Sequence, residues 1–264
     1  EIDLGLDSLA RAEALAALET RLGIALPLDE CARAFTLREL IAVCDRSPRT
    51  RASVGFANPA KTVSRSTWSR VFSTASEPTR ELETILNDRP LFMLFVFSVY
   101  KVFNLICRLF LGLEVSGVER LLQLRRPFIV CPNHQSFLDP FVVCSTYSFE
   151  FFRNSFHLGA SYLFQGRIMS YVGRMLHIVP VDADTRLTQA MKAAATGLKH
   201  GKILNIYPEG ERAYDGELHE FKNGAAVFAV ELDVPIVPVA IDGLQNVWPR
   251  RSMRIRPAKV KVRF

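Results

Sequence analysis

The sequence predicts an α/β protein, a mostly parallel sheet flanked by helices, with a small all-α segment ahead of it. Three observations carry this. From residue 127 onward, strand-like and helix-like segments alternate through "PFIVC", "FEFFRNSFHLG", "HIVPVD", "QAMKAAATGLKHG", "ILNIYP", "GAAVFAVELD", "VPIVPVAI" and "AKVKVRF". Short β-branched runs separated by helices indicate parallel pairing. Residues 4–44 instead read as short helices. Charge divides the chain the same way: residues 1–47 hold nine acids and five bases, while the rest holds 18 acids and 28 bases. An acidic head on a basic body marks two modules. At 264 residues, 49% of them hydrophobic, the chain suits one core-bearing domain plus something smaller.

The head comes first. "SLARAEALAALETRL" has leucines at 9, 15, 18 and 22, broadly helical in period, with Asp7 or Ser8 as cap and Gly23 placed to end it. "TLRELIAVC" is a second helix, with Thr36 as cap and Glu39 three residues on in a capping-box pattern. Residues 46–80 are rich in Ser, Thr, Pro and Arg, with seven bases and one acid. They read as a basic flexible linker holding a short helix around Trp68–Phe72.

Pro90–Leu113 is the most hydrophobic stretch. As a helix it would reach about 36 Å, enough to cross a bilayer. Ser98, Lys101, Asn104 and Arg108 nevertheless fall on one face. That polar stripe predicts a helix lying in the membrane interface, its stripe toward headgroups and Phe95, Val99, Val102, Phe103, Ile106 and Phe110 toward the acyl chains. A helix buried by the protein's own core is the alternative. The five cysteines (31, 44, 107, 131, 144) show no CxxC or metal-ligand spacing and read as small buried hydrophobes in a reducing compartment.

"CPNHQSFLDP", residues 131–140, delivers a histidine and then an aspartate five residues later. On a regular helix these side chains would point about 140° apart, so a His134–Asp139 pair requires a turn. Pro140 supports one, because it disfavours helical geometry in the residue before it, and Asp139 could then cap a helix starting at Pro140. A histidine oriented by a carboxylate can act as a general base. Ser136, two residues from that base, is poorly placed as a nucleophile and better suited to capping the turn. Cys131 lies inside the strand pattern.

The second chemical cluster is "YPEGERAYDGELHEFKNGAA", residues 207–226. Glu209, Gly210 and Arg212 follow the strand "ILNIY", and ligands of α/β sheets bind beyond the carboxyl ends of strands. An arginine there, with Lys222 and Gly224 downstream, suits an anionic group such as phosphate. A solvated surface turn is the alternative.

Taken together, "NHQSFLDP", "YPEGER" and "VPIVPVAIDG" (234–243) resemble signature blocks of the glycerolipid acyltransferases, the lysophosphatidic acid acyltransferase-like family. The resemblance covers about residues 90–264 and implies that family's fold. It makes His134 the base that deprotonates the acceptor hydroxyl, Asp139 its orienting partner, and Glu209, Gly210 and Arg212 acceptor-binding residues, with Asn133 and Lys222 beside them. Glu211 stands where the motif usually has threonine. Asp182, in "MLHIVPVDAD", stands where members commonly carry an arginine for the glycerol phosphate, with Arg174 or Arg186 as candidate substitutes. A thioester donor has a good leaving group, so the resemblance implies no acyl-enzyme and no metal.

The head, "LGLDSLARAEALAALETRLGIALP", is similar to an acyl carrier protein from its second helix onward, with Asp7-Ser8-Leu9 as its motif. That implies 4′-phosphopantetheine on Ser8. The expected organisation is a partial carrier segment (1–45), the linker (46–80) and a membrane-associated acyltransferase domain (81–264) with a truncated C-terminus. Expected partners are acyl-CoA or acyl carrier protein as donor, a lysolipid acceptor and the cytoplasmic face of a membrane, bound peripherally or monotopically. An acyl-activating ligase domain is expected in a longer polypeptide, and no nucleic acid. The expected activity is O-acyl transfer to a lysophospholipid or glycerol phosphate-type acceptor. Acylation of a non-phosphate lipid and a non-catalytic carrier scaffold are the alternatives.

Overall fold

The computed structural model describes residues 36–48, 67–73, 80–87, 89–121, 123–164, 166–181, 187–250 and 254–264, with Ala14, Leu15, Leu18, Arg21, Leu22, Ile24, Leu26 and Cys31 ahead of them. Ser8, Asp182 and Arg186 lie outside the described residues. The elements run α1 (Leu37–Arg46), α2 (Thr67–Ser73), α3 (Arg80–Leu86), α4 (Pro90–Leu111), β1 (Glu114–Ser116), α5 (Val118–Leu121), β2 (Ile129–Pro132), α6 (Asp139–Ser145), α7 (Phe149–Asn154), β3 (Ser155–Ala160), α8 (Arg167–Met175), β4 (Ile178–Val181), α9 (Leu187–Lys199), β5 (Ile203–Asn205), α10 (Gly224–Leu232), β6 (Ile236–Asp242), α11 (Leu244–Val247) and β7 (Lys261–Arg263).

The seven strands order as β1-β7-β6-β2-β5-β3-β4. Strands β6, β2, β5, β3 and β4 are mutually parallel, β1 pairs parallel with β7, and among the described residues only the β6–β7 pairing is antiparallel. The expected mostly parallel α/β sheet is therefore present. Its central strand, β2, is buried at Ile129 and Val130, as a strand covered on both faces must be. One face carries α4, α6 and α7 over a core including Phe128, Val142, Tyr147 and Phe152. The other carries α2, α3, α9 and α10 over Ile129, Phe156, Leu198 and Phe228. The α9 run of small residues, Ala193 to Ala195, lets that helix lie close on the sheet.

The head keeps its own cluster, Leu15, Ile24, Leu26, Cys31, Leu40 and Val43. Helix α1 begins with the expected reciprocal capping box: Glu39 N donates to Thr36 Oγ1 (3.3 Å) and Thr36 N to Glu39 Oε2 (3.1 Å). Within the stretch read as a flexible linker, Thr67–Ser73 is a helix whose Trp68 and Phe72 are buried in the main core, Phe72 stacking on Phe228. The short helix expected around Trp68–Phe72 is therefore present, but two large aromatics four residues apart pack it into the core against α9 and α10, so these seven residues are not flexible linker.

Helix α4 corrects the sequence reading in an informative way. Pro90 opens it and Gly112, at φ +56°, closes it in the left-handed conformation glycine favours. Its inner face packs Phe97 and Tyr100 against Phe152. Two members of the polar stripe bond to the rest of the protein, while Ser98 and Arg108 stay exposed. Lys101 Nζ donates to the carbonyls of Ser145 (2.9 Å) and Tyr147 (2.8 Å), and Asn104 Nδ2 to Ser145 Oγ (2.8 Å). A lysine there satisfies carbonyls left open at the carboxyl end of α6 and complements its dipole. Arg108 donates to Asn104 Oδ1. The face left outside is apolar: Leu91 (83% exposed), Phe95 (66%), Leu109 (71%) and Phe110 (71%) among others. Phe103, expected on that face, packs against the core instead. Among the described residues, α4 is one helix long and apolar enough to cross a membrane.

Candidate active site

Strand β2 ends at Pro132, and the chain turns through residues 133–138 before α6 begins. The turn brings His134 back onto Asp139: Nδ1 lies 2.7 Å from Asp139 Oδ2. The same oxygen accepts from the backbone N–H groups of Gln135 (2.6 Å) and Ser136 (2.8 Å). Asp139 is thus the first residue of α6, not its cap, and its carboxylate folds backward over the turn. Pro140 at the second helical position leaves no N–H there to compete for it. Ser136 caps the turn as expected, its Oγ accepting from Leu138 N (3.4 Å), and it also donates to the Trp248 carbonyl (3.0 Å).

An oxygen surrounded by three N–H donors is an acceptor, so His134 donates from Nδ1 and its Nε2 lone pair is left to accept a proton. Asp139 is fully buried, whereas the His134 side chain retains 19% exposure. Burial pushes the Asp139 carboxyl above the ordinary carboxylate range, opposed by His134 and by the N–H groups of Ser136 and Gln135. A raised native pKa means folding favours the protonated acid. This group's contribution to stability is therefore fully present below the unfolded value of ~3.9 and is lost as pH rises through the native one. Asp139→Asn removes that loss. Its Tm, relative to the unsubstituted protein, is expected to climb as pH is raised from about 4 toward neutrality. A pH-independent difference between the two melting curves would contradict the burial argument.

The "YPEGER" turn meets this pair from β5. The Tyr207 ring stacks on the His134 ring, centroids 4.2 Å apart and planes 30° from parallel. Glu209, 4% exposed, accepts from His134 N (2.7 Å) and from His219 N (3.1 Å). Ala213 N donates to the His134 carbonyl (2.8 Å), locking the two loops together. Gly210 has φ +76°, and a Cβ there would lie 2.8 Å from Lys222 Cε and Nζ. Glycine therefore permits both the turn and the passage of Lys222 across it. Arg212 lies over the Phe137 ring, 3.3 Å from guanidinium carbon to ring centroid. Phe137 in turn sits by Trp248.

Two residues read as substrate-binding have other occupations. Asn133 spends its whole amide on β6, donating to the Ile241 carbonyl (3.0 Å) and accepting from Ile241 N (2.6 Å). Glu209 spends both oxygens on backbone N–H groups. Both hold the His134 loop in position. Arg174 also lies elsewhere. It precedes β4, at the strands' amino-terminal edge, whereas His134 follows a strand's carboxyl end. Cys131 is as expected a strand thiol, pushed up to about 12 by burial.

Sequence reasoning missed Tyr207 and Arg250. Arg250 Nη1 donates to the Arg212 carbonyl (2.7 Å) and to Glu211 Oε2 (3.1 Å). Partial burial lowers the Arg212 guanidinium, and the charge of Arg250 lowers it further. Two neighbouring guanidiniums beside a general-base candidate form a site for a group carrying negative charge.

Comparison with known proteins bears on the family and the fold. Residues 112–242 match the family profile described as Acyltransferase, and residues 2–44 that described as Phosphopantetheine attachment site. A chloroplastic 1-acyl-sn-glycerol-3-phosphate acyltransferase from Brassica napus is 29% identical over 148 residues, covering 53% of this chain and 40% of the relative. Its Arabidopsis thaliana counterpart is 30% identical over 146 residues, covering 54% and 39%. The chain thus spans well under two thirds of these relatives. The crystal structure of the 1-acyl-sn-glycerophosphate acyltransferase from Thermotoga maritima matches with a TM-score of 0.55 and 25% identity, over 69% of this chain and 72% of that one.

Proposed function

With residues 112–242 belonging to the acyltransferase family, we propose that this chain transfers a fatty acyl group from a thioester to the hydroxyl of a lysophospholipid or glycerol phosphate-type acceptor. The observation that carries the reading is the His134–Asp139 pair, 2.7 Å apart, at the carboxyl edge of the sheet beside Arg212. His134 Nε2 takes the acceptor's hydroxyl proton as that oxygen attacks the thioester carbonyl carbon. The tetrahedral carbon then expels the thiolate, so a C–O bond forms and the C–S bond breaks. His134 returns its proton to the departing sulfur. Asp139 holds the ring's tautomer and stabilises the imidazolium between the two steps. No acyl-enzyme is needed.

Arg212 binds the acceptor's phosphate, with Arg250 adding charge and holding the Arg212 main chain; Lys222 completes the basic rim. The names of the relatives, which act on 1-acyl-sn-glycerol-3-phosphate, support a phosphate-bearing acceptor. A panel of lysophosphatidic acid, other lysophospholipids and monoacylglycerol tests it. Arg212→Gln is expected to raise KM for the phosphate-bearing acceptor about tenfold or more, as loss of a charged hydrogen bond implies. Equal use of monoacylglycerol by the unsubstituted enzyme would sink the phosphate reading.

The donor is acyl-CoA or an acyl carrier, and the carrier-like head supports the second route. Ser8 is then the attachment point for 4′-phosphopantetheine. A phosphopantetheinyl transferase of broad specificity is expected to add the arm to Ser8 in a protein carrying the complete carrier domain, read by peptide mass spectrometry. Absence of the adduct on that folded protein would remove the cofactor assignment. The exposed apolar face of α4 supports work at a membrane surface, where the lysolipid resides.

A further inference from the structure

A cleft of about 470 Å³ opens where the end of α3 meets the start of α4 and the last turn of α8. Glu83 and Asn87 line one side, Tyr171, Arg174 and Met175 the other, and Arg89 stands between them. Its wall is held in place, because His177, buried, sets its Nε2 2.8 Å from the Asn87 carbonyl. Arg89 spends Nε on Asn87 Oδ1 (3.4 Å) and Nη1 on Met175 Sδ (3.5 Å), long contacts to neutral acceptors. Among the described residues no carboxylate pairs with Arg89 or Arg174, although Glu83 shares the cleft with both. Two guanidiniums therefore keep N–H groups available at one concavity, the arrangement that receives phosphate oxygens.

The charge balance and the surroundings select among phosphates. Among the described residues that line it, two arginines and one glutamate leave a net +1. That matches a phosphodiester, which carries one negative charge, whereas a free phosphate or monoester carries about −1.5 to −2 at neutral pH and would be repelled by Glu83. On one side of the cleft Arg89 runs directly into Leu91 and Phe95, exposed on the same face of α4. On the other, Tyr171 belongs to an exposed apolar face of α8 with Ile168 and Val172. A headgroup seated between Arg89 and Arg174 would have apolar surface on both flanks for its acyl chains. We propose that this cleft binds the phosphodiester headgroup of an anionic membrane phospholipid, separate from the lipid being acylated. It lies at the sheet edge opposite His134, so the occupant is a docking lipid and not an acceptor.

The test is calorimetric titration of the full chain with short-chain phosphatidylglycerol held below its micellar threshold. Saturable binding to one site is expected, retained in Arg212→Gln and weakened about tenfold or more in Arg89→Gln and in Arg174→Gln. Both arginines are exposed, so circular dichroism spectra of the variants are expected to overlay. Glu83→Gln should tighten binding and admit inorganic phosphate. Full binding in Arg174→Gln, loss in Arg212→Gln alone, equal affinity of the unsubstituted chain for inorganic phosphate, or equal affinity for short-chain phosphatidylcholine would each overturn the proposal.

Discussion

His134→Ala is expected to lower the rate of acyl transfer by about 10²–10⁴, the usual contribution of a positioned general base. The fold should survive, because the backbone bonds of His134 to Glu209 and from Ala213 N remain, and Asp139 keeps the N–H groups of Gln135 and Ser136 when the imidazole is lost. The side chain itself is partly exposed and leaves no core cavity. Asp139→Asn should lose much of the same rate with the ring still present, since the amide can present an N–H to Nδ1 and favour the wrong tautomer. Purified variants with unchanged circular dichroism and near-normal turnover would remove His134 from the mechanism.

Membrane recruitment is expected to collapse when the outer face of α4 is made polar. Leu91, Phe95 and Val102 are exposed and support nothing inside the protein, so Leu91→Ser, Phe95→Ser and Val102→Ser together should leave Tm nearly unchanged. Each contributes roughly 1.5 kcal/mol or more if buried in lipid. The triple variant should therefore bind vesicles more than about a hundredfold more weakly, allowing for partial insertion. Co-sedimentation with phosphatidylcholine vesicles reads this directly, and undiminished binding would place the membrane contact on another face.

The parallel core of the sheet was legible because β2, β4 and β6 are short apolar runs rich in β-branched residues, with helical segments alternating between the strands. Strand β7 was legible as a strand but not as the antiparallel partner of β6; three residues carry no directional signal. The His134–Asp139 turn was legible from spacing and Pro140. The backward fold of the carboxylate onto Gln135 and Ser136 was not, since a helix start looks the same whether its first acid caps forward or reaches back. Periodicity found the Ser98–Lys101–Asn104–Arg108 stripe, yet periodicity cannot say what a stripe faces. Lys101 met the carbonyls of Ser145 and Tyr147, more than forty residues away. Glu209 and Asn133 were legible as site residues, but their bonds to His134 N and to Ile241 were not, because those partners lie 75 and 108 residues away. Arg250 comes from a loop 38 residues beyond Arg212, and only the β6–α11 turn brings them together.

Direct transfer without an acyl-enzyme is the centre of this account. The purified full chain is mixed with a labelled acyl-CoA thioester, first without acceptor and then with lysophosphatidic acid, while intact-protein mass, free thiol and ester are followed together. No acyl adduct should form on the chain in the first mixture. In the second, thiol and ester should appear in equal amounts, and His134→Ala should suppress both alike. An acyl adduct that forms before acceptor is added and disappears as ester appears would contradict it.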